Sequence, residues 1–372
     1  MRYYIIAGEA SGDLHGANLM KELNKRDTSS AVRAWGGDLM KDEGAELVKH
    51  YRDLAFMGFS EVIQNLRTIL GNIAFCKKDI LAHKPDVLIL IDYPGFNLRI
   101  AEFAHQHGIK VFYYISPQIW AWKQNRVFKI KKFVDRMFVI LPFEKEFYSR
   151  FALEVDFVGH PLLDSLEQKR NSFSTSSDFR KKHQLNEKPI IALLPGSRKQ
   201  EVSVMLPLML SVKDSFSDYQ FVIAGAPSLT PEFYKSISND SSVKVLSEVT
   251  YELISHAEAA LVTSGTATLE TALLGTPEVV CYKGGKISYA IARSLIKVKY
   301  ISLVNLIMDR LVVTELIQDK LNRKNIEVEL KSILTTDARS KMLVDFKELV
   351  EKLGGSGASA KTAELMLKYL KG

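Results

Sequence analysis

Apolar runs of four or five residues alternate with helical patterns along most of this chain, and two of the runs open directly into glycine-rich turns. The runs lie at residues 3–7, 87–91, 111–115 and 137–141, and again at 190–194, 221–224, 259–263 and 279–282. They are partly β-branched and bounded by turn residues, as strands buried on both faces of a parallel sheet are. Helical patterns such as 14–23 and 98–107 lie between them. The first run feeds Gly8-Glu9-Ala10-Ser11-Gly12-Asp13, and the fifth feeds Pro195-Gly196-Ser197-Arg198. Each turn is a strand-to-helix junction of the kind where α/β domains hold ligands. The stretch 168–182, with Asn171-Ser172-Phe173-Ser174-Thr175-Ser176-Ser177, reads as a linker or exposed loop. A closed (β/α)₈ barrel would not restart with its own glycine turn after such a break. The expectation is two doubly wound α/β domains facing each other across a cleft, and an enzyme. From about residue 326 the chain reads as helix, broken at Gly354-Gly355-Ser356-Gly357.

Bulk properties narrow the class only a little. A length of 372 residues suits two domains, and 47% apolar with 25% charged residues is ordinary for a chain with a sizeable core. Lys+Arg 50 against Asp+Glu 43 leaves +7, a modest excess that suits an anionic partner. Cys76 and Cys281, the two cysteines, match no metal or redox spacing, which points to a reducing compartment. Residues 3–7 are too short for a secretion signal and the longest apolar runs are strand length, so the expected protein is soluble or sits on a membrane surface.

Several stretches can carry chemistry. The spacing Gly8-x-x-x-Gly12-x-x-x-Gly16 is not the dinucleotide fingerprint, which argues against a nicotinamide or flavin enzyme. Its polar groups, Glu9, Ser11, Asp13 and His15, suit sugar hydroxyls better than a pyrophosphate; the alternative is that Ser11 or Asp13 simply caps the helix. Asp92 follows 87–91 directly, at the carboxyl edge of a central strand, where a partly desolvated carboxylate can take a proton from an alcohol. It can equally cap the helix after Tyr93-Pro94-Gly95. In the second half, Gly196, Ser197 and Arg198 form a natural phosphate site, as does the helix start Ser264-Gly265-Thr266-Ala267-Thr268. Glu270 follows within reach of a ribose. The segment 120–132 interleaves Trp120 and Trp122 with Lys123, Arg126 and further cations. Such a run grips nucleic acid, anionic lipid or a phosphorylated acceptor, or is the solvated face of a helix. Residues 56–70, with Phe59, Val62, Ile63, Leu66, Ile69 and Leu70, read as a helix with a broad apolar face, either core or membrane-dipping. No Asp-x-Asp pair and no His-x-x-x-His occurs, so a metal-centred mechanism is not indicated and no cofactor is expected.

Taken in order, a set of motifs resembles the lipid-A-disaccharide synthase family. They are Ala7-Gly8-Glu9-Ala10-Ser11-Gly12-Asp13, Met57-Gly58, Lys84-Pro85-Asp86, Ile91-Asp92-Tyr93-Pro94-Gly95-Phe96-Asn97 and Ser116-Pro117-Gln118-Ile119-Trp120-Ala121-Trp122. Further on come Leu141-Pro142-Phe143-Glu144, Val158-Gly159-His160-Pro161, Leu193-Leu194-Pro195-Gly196-Ser197-Arg198 and Thr263-Ser264-Gly265-Thr266-Ala267-Thr268-Leu269-Glu270. One departure is Val304 in Ser302-Leu303-Val304-Asn305, where the family usually has proline. The resemblance implies a GT-B fold, two Rossmann-like parallel-sheet domains facing a central cleft. It implies an acceptor-side domain at 1–165, a UDP-sugar domain at 166–344, and a tail from about 345 to 372 that packs back on the first. It further implies inverting transfer of 2,3-diacylglucosamine from UDP to the 6-hydroxyl of 2,3-diacylglucosamine 1-phosphate. The setting implied is cytoplasmic, peripheral at the inner membrane, with no nucleic-acid partner; a homodimer is left open.

On that footing Asp92 is the expected base. Glu9, Ser11, Asp13 and His15 hold sugar hydroxyls, with His160 a further contact. Trp122, Lys123 and Arg126 receive the acceptor phosphate. Gly196, Ser197, Arg198, Ser264, Gly265 and Thr266 neutralise UDP, while Glu270 takes the ribose and Asn305 another part of the nucleotide. A UDP-sugar epimerase of the same architecture is the alternative.

Overall fold

Strands that are apolar on both faces demand helices above and below, and the computed structural model provides them in two units. It describes residues 1–54, 66–285, 298–335 and 337–372. The first unit is Met1–Asp164 with Leu353–Gly372, and the second is Ser165–Lys352.

In the first unit, β1 (Arg2–Ala7), β2 (Ala31–Gly36), β3 (Glu46–His50), β4 (Val87–Ile91), β5 (Lys110–Tyr114), β6 (Arg136–Val139) and β7 (Asp156–Phe157) form one sheet. Its order is β3-β2-β1-β4-β5-β6-β7, and every pairing is parallel. The chain winds one way from β1 to β3 and the other way from β4 onward, so β1 and β4 flank the topological switch point. Val87–Ile91 is buried throughout. The second unit repeats the plan with β8 (Ile190–Leu194), β9 (Gln220–Gly225), β10 (Lys244–Ser247), β11 (Ala257–Thr263), β12 (Glu278–Tyr282) and β13 (Thr314–Ile317). The order β10-β9-β8-β11-β12-β13 puts its switch point between β8 and β11.

Two expectations change. The serine-rich stretch is not a free linker: Thr175 caps a helix, Ser176–Lys182, that buries Phe179, and Ser174 donates from N and Oγ to Glu252 of the same unit. Residue 345 lies within the helix Asp337–Lys352, where Asp345 and Glu348 both pair with Arg310 of the second unit. The chain joins the first unit only at Leu353. There the helix Ala358–Lys371 packs on Ala10–Arg26, and the Asp164 carboxylate accepts the Gly357 and Ser359 amides at 2.6 and 2.9 Å.

Candidate active site

At the first switch point β1 and β4 run in register, with Ala7 opposite Ile91. The turns that follow them therefore meet. A Cβ on Gly8 would fall 2.4 Å from the Tyr93 ring, so glycine is needed to let that ring lie across the first turn. Asp92 and Tyr93 both adopt left-handed backbone, with φ of 43° and 48°. Two such residues in a row cost on the order of 1–3 kcal/mol each and persist only when their surroundings impose them. Pro94 turns Tyr93 away from the right-handed helix region. The Asn97 amide donates to the carbonyls of Ile91 (3.2 Å) and Asp92 (2.8 Å), and the Tyr113 hydroxyl donates to the Asp92 carbonyl at 2.5 Å.

With its main chain fixed from below, Asp92 stands exposed at the sheet's carboxyl edge. The surrounding protein disfavours its charge, the Glu9 carboxylate adds to this, and the Tyr93 backbone opposes it; the net result is a carboxyl pushed up to about 6. Glu9 is exposed at the start of the helix Ala10–Arg26, as is Ser11.

Asp13 is elsewhere. It is buried, and its carboxylate accepts the amides of Gly37 (2.7 Å), Met40 (3.1 Å) and Leu39 (3.2 Å), capping the short helix Asp38–Asp42. Its acceptor capacity is directed at backbone rather than at sugar hydroxyls, so it leaves the substrate-binding set. His15 and His160 lie close enough to interact, and burial dominates both: His15 is lowered to about 4 and His160 to about 3, each neutral at physiological pH. His160 Nδ1 accepts the Leu162 amide, which fixes its tautomer with the proton on Nε2.

Beyond β5, Trp122 is exposed, with Lys123 Nζ 4.4 Å and the Arg126 guanidinium 5.8 Å from its ring centre. The loop follows the carboxyl end of β5, where Tyr114 lies opposite Ile91 of β4, so this cationic loop and the Asp92 turn share one end of the sheet. The regular helix here is only Val127–Phe133. Glu144 sits buried at the first turn of Pro142–Ser149, accepting the Leu141 and Ile140 amides at 2.9 and 3.2 Å. Burial pushes its carboxyl up to about 7, against the pull of the Leu141 backbone and of Ser116.

In the second unit, Gly196, Ser197, Ser264, Gly265, Thr266 and Glu270 line one cavity of about 260 Å³ at the β8–β11 switch point. At the start of Thr266–Leu274 the Thr268 N–H donates to the Gly265 carbonyl at 3.3 Å, while the Thr266 and Ala267 N–H groups have no intrahelical acceptor and can meet an anion. Arg198 is exposed, makes no ion pair with any described residue and does not line the cavity. An adjoining cavity of about 490 Å³ shares Glu270, Pro227 and Thr250 and adds Lys169, Phe173, Val249 and Tyr251. The Tyr251 hydroxyl donates to Glu270 at 2.8 Å, and Lys169 lies 4.5 Å over the Tyr251 ring. Burial raises the Glu270 carboxyl, opposed by Tyr251 and Lys169.

Asn305 does not reach this site. It is buried and saturated: Oδ1 accepts the Val312 and Val313 amides, and Nδ2 donates to the Val313 carbonyl and to Glu315. It ties the helix Leu303–Met308 to β13, and no nucleotide can displace that many backbone bonds cheaply. Val304 occupies the second position of that helix, fully buried.

Of the apolar stripe, Phe59, Val62 and Ile63 lie outside the described residues. Leu66 begins the helix Leu66–His83, on which Ile69 is half-buried and Leu70 exposed. Among the described residues no helix is long and apolar enough to cross a membrane, and no group of His, Cys, Asp or Glu could hold a metal ion. Sequence reasoning missed Tyr93, Tyr113, Glu144, Glu201 and Tyr251. Glu144, two residues after Pro142, and Glu201, three after Arg198, carried a helix-start signal.

A family model described as lipid-A-disaccharide synthetase matches residues 3–369. The chain is 42% identical over 375 residues to the lipid-A-disaccharide synthase of Syntrophus aciditrophicus (strain SB), covering 99% of this chain and 97% of that one. It is 38% identical over 378 residues to that of Trichlorobacter lovleyi, with the same coverage of 99% and 97%. Among solved structures it is similar to UDP-GlcNAc 2-epimerase from Neisseria meningitidis bound to UDP-GlcNAc, with a TM-score of 0.69 at 15% identity over 99% of this chain and 100% of that one. The calicheamicin glycosyltransferase CalG4 gives 0.62 at 15% over 100% and 98%. At such identities the two structures speak to fold alone, and the fold is GT-B. The sequence matches carry the rest: this chain belongs to the lipid-A-disaccharide synthase family and is a glycosyltransferase.

Proposed function

We propose that this chain transfers 2,3-diacylglucosamine from UDP to the 6-hydroxyl of 2,3-diacylglucosamine 1-phosphate, with Asp92 as the base. The observation that carries the mechanism is Asp92 itself: a carboxyl near 6, fixed in left-handed backbone at the switch point of the first unit. At neutral pH it is ionised yet close enough to titration to accept a proton readily. As the acceptor oxygen attacks the anomeric carbon, its proton passes to Asp92. The bond to UDP breaks with its electron pair going to the diphosphate, which gives inversion in one displacement. Glu9, Ser11, His15 and His160 would hold sugar hydroxyls, and Lys123 and Arg126 beside Trp122 would hold the acceptor phosphate.

In the second unit the amides around Gly196–Ser197 and Gly265–Thr266 would receive the diphosphate, with Arg198 closing on it from the rim. Glu270, oriented by Tyr251, suits the ribose. Contact with an anionic membrane surface through the helix Leu66–His83 fits substrates that carry acyl chains.

Incubating the protein with UDP-diacylglucosamine, with and without the monosaccharide 1-phosphate, tests the reading. Disaccharide 1-phosphate and UDP should form only when the acceptor is present. A UDP-sugar isomer formed without acceptor would instead support an epimerase.

A further inference from the structure

The two turns in the second unit's cavity differ in one respect. A Cβ built on Gly265 meets nothing within 4 Å, whereas one built on Gly196 would fall 2.1 Å from Glu201 Oε2 and 2.4 Å from its carboxyl carbon. The same Oε2 accepts the Ser197 amide at 3.1 Å. Gly196 is left-handed, with φ +109°, which turns that amide toward the cavity wall that Glu201 lines. The turn is held in this shape from the other side, where the Ser228 hydroxyl donates to the Ser197 carbonyl at 2.8 Å.

A glutamate in the first turn of a helix ordinarily reaches back to the amide of the capping residue, here Arg198. Glu201 passes that position and takes the amide of the phosphate-type turn itself. No cation offsets it: among the described residues neither Arg198 nor any lysine forms an ion pair with Glu201. A second anion brought to the Ser197 N–H would have to share one donor with a carboxylate a few ångströms away, which charge repulsion forbids.

We infer that Glu201 is a resident counter-anion on the Ser197 amide, which the diphosphate of the nucleotide must displace to bind and which returns as the nucleotide leaves. This rests on reading the cavity as the UDP site. It makes Glu201 a residue that sets phosphate affinity and eases product release: the turn stays formed without nucleotide, at the expense of tight UDP binding. The effect is confined to phosphate, because Glu201 lines the smaller cavity and not the one containing Tyr251 and Val249.

Titration calorimetry with UDP and with uridine, on wild type, Glu201→Gln and Glu201→Ala, separates the possibilities. Both variants should bind UDP about tenfold more tightly than wild type, with uridine affinity unchanged. The amide of Glu201→Gln can still accept the Ser197 N–H, so it guards against loss of the helix start in the alanine variant. Equal or weaker UDP binding by both variants, with uridine still bound, overturns the counter-anion and makes Glu201 a plain cap. A wild type that binds neither ligand rejects the nucleotide reading instead.

Discussion

The role proposed for Asp92 depends on the groups around it. Asn97 and Tyr113 hold its main chain, Gly8 makes room for the neighbouring Tyr93 ring, and desolvation by the surrounding protein, with the Glu9 carboxylate adding to it, keeps its carboxyl from falling to the usual range. Asp92→Asn should keep the hydrogen-bonded turn and lower kcat about 10²–10⁴-fold with an unchanged melting temperature; near-wild-type turnover would place the base elsewhere. A base with a carboxyl near 6 works only when ionised, so kcat/KM should rise with pH through about 6 and level off above 7. A rate already flat from pH 5 would sink the assignment. The carboxylate's position was legible in the sequence, because it follows an uninterrupted apolar strand. Its neighbours were not: Tyr113 lies inside β5 and reads as core, and nothing local says that its hydroxyl reaches across to β4.

Elements were read best where they are buried on both faces. The runs at 87–91 and 190–194 coincide with β4 and β8, while the edge or near-edge strands β2, β3, β7, β10 and β13 went unread. These carry Arg33, Glu46, Lys49, Asp156, Lys244 or Glu315, charges that a strand near a sheet's margin can direct to solvent or to a partner and that erase the apolar pattern. Asp13 and Asn305 misled for a related reason. Polar side chains beside a site look like ligand contacts until the backbone donors from distant elements are seen to absorb them.

Asp13→Ala would strand three amides at the start of Asp38–Asp42 and should destabilise the protein by roughly 2–3 kcal/mol, while KM for the sugars stays put in the folded fraction; a KM rise without loss of stability would return Asp13 to the site. In the second sheet Glu278 begins β12 fully buried, and neither carboxyl oxygen has a hydrogen-bond partner among the described residues. Burial holds its pKa well above 4.5, so the folded state keeps a proton that the unfolded chain releases, and stability falls as pH rises past about 4.5. Glu278→Met should raise the melting temperature by at least about 2 °C at pH 8 and by less at pH 5; a variant no more stable at pH 8 would mean the carboxylate has found a partner.

For the molecule as a whole, the helix Leu66–His83 brings apolar and cationic groups to one groove of about 360 Å³. Leu70, Ile73 and Phe103 line it together with Lys77, Arg99 and a single carboxylate, Glu102, and Lys77 Nζ lies 5.0 Å over the Phe103 ring. Such a surface suits anionic lipid, and the net charge of +7 assists. Ile69→Ser with Leu70→Ser should cut sedimentation with phosphatidylglycerol vesicles several-fold without unfolding the protein. Unchanged sedimentation removes this face from membrane contact, and unfolding assigns it to the core.

The tail helix has a different consequence, one of timing. Chains generally acquire structure from the amino end as they leave the ribosome. Here the wall that covers Ala10–Arg26 comes from the helix Ala358–Lys371, far along the chain, and the latches Asp164–Ser359 and Lys110–Tyr369 cannot form before it is made. The unit that begins first is therefore closed only after the second has been made, and a nascent chain stopped at Lys352 would hold all of Ser165–Lys352 while the first unit still lacked a side.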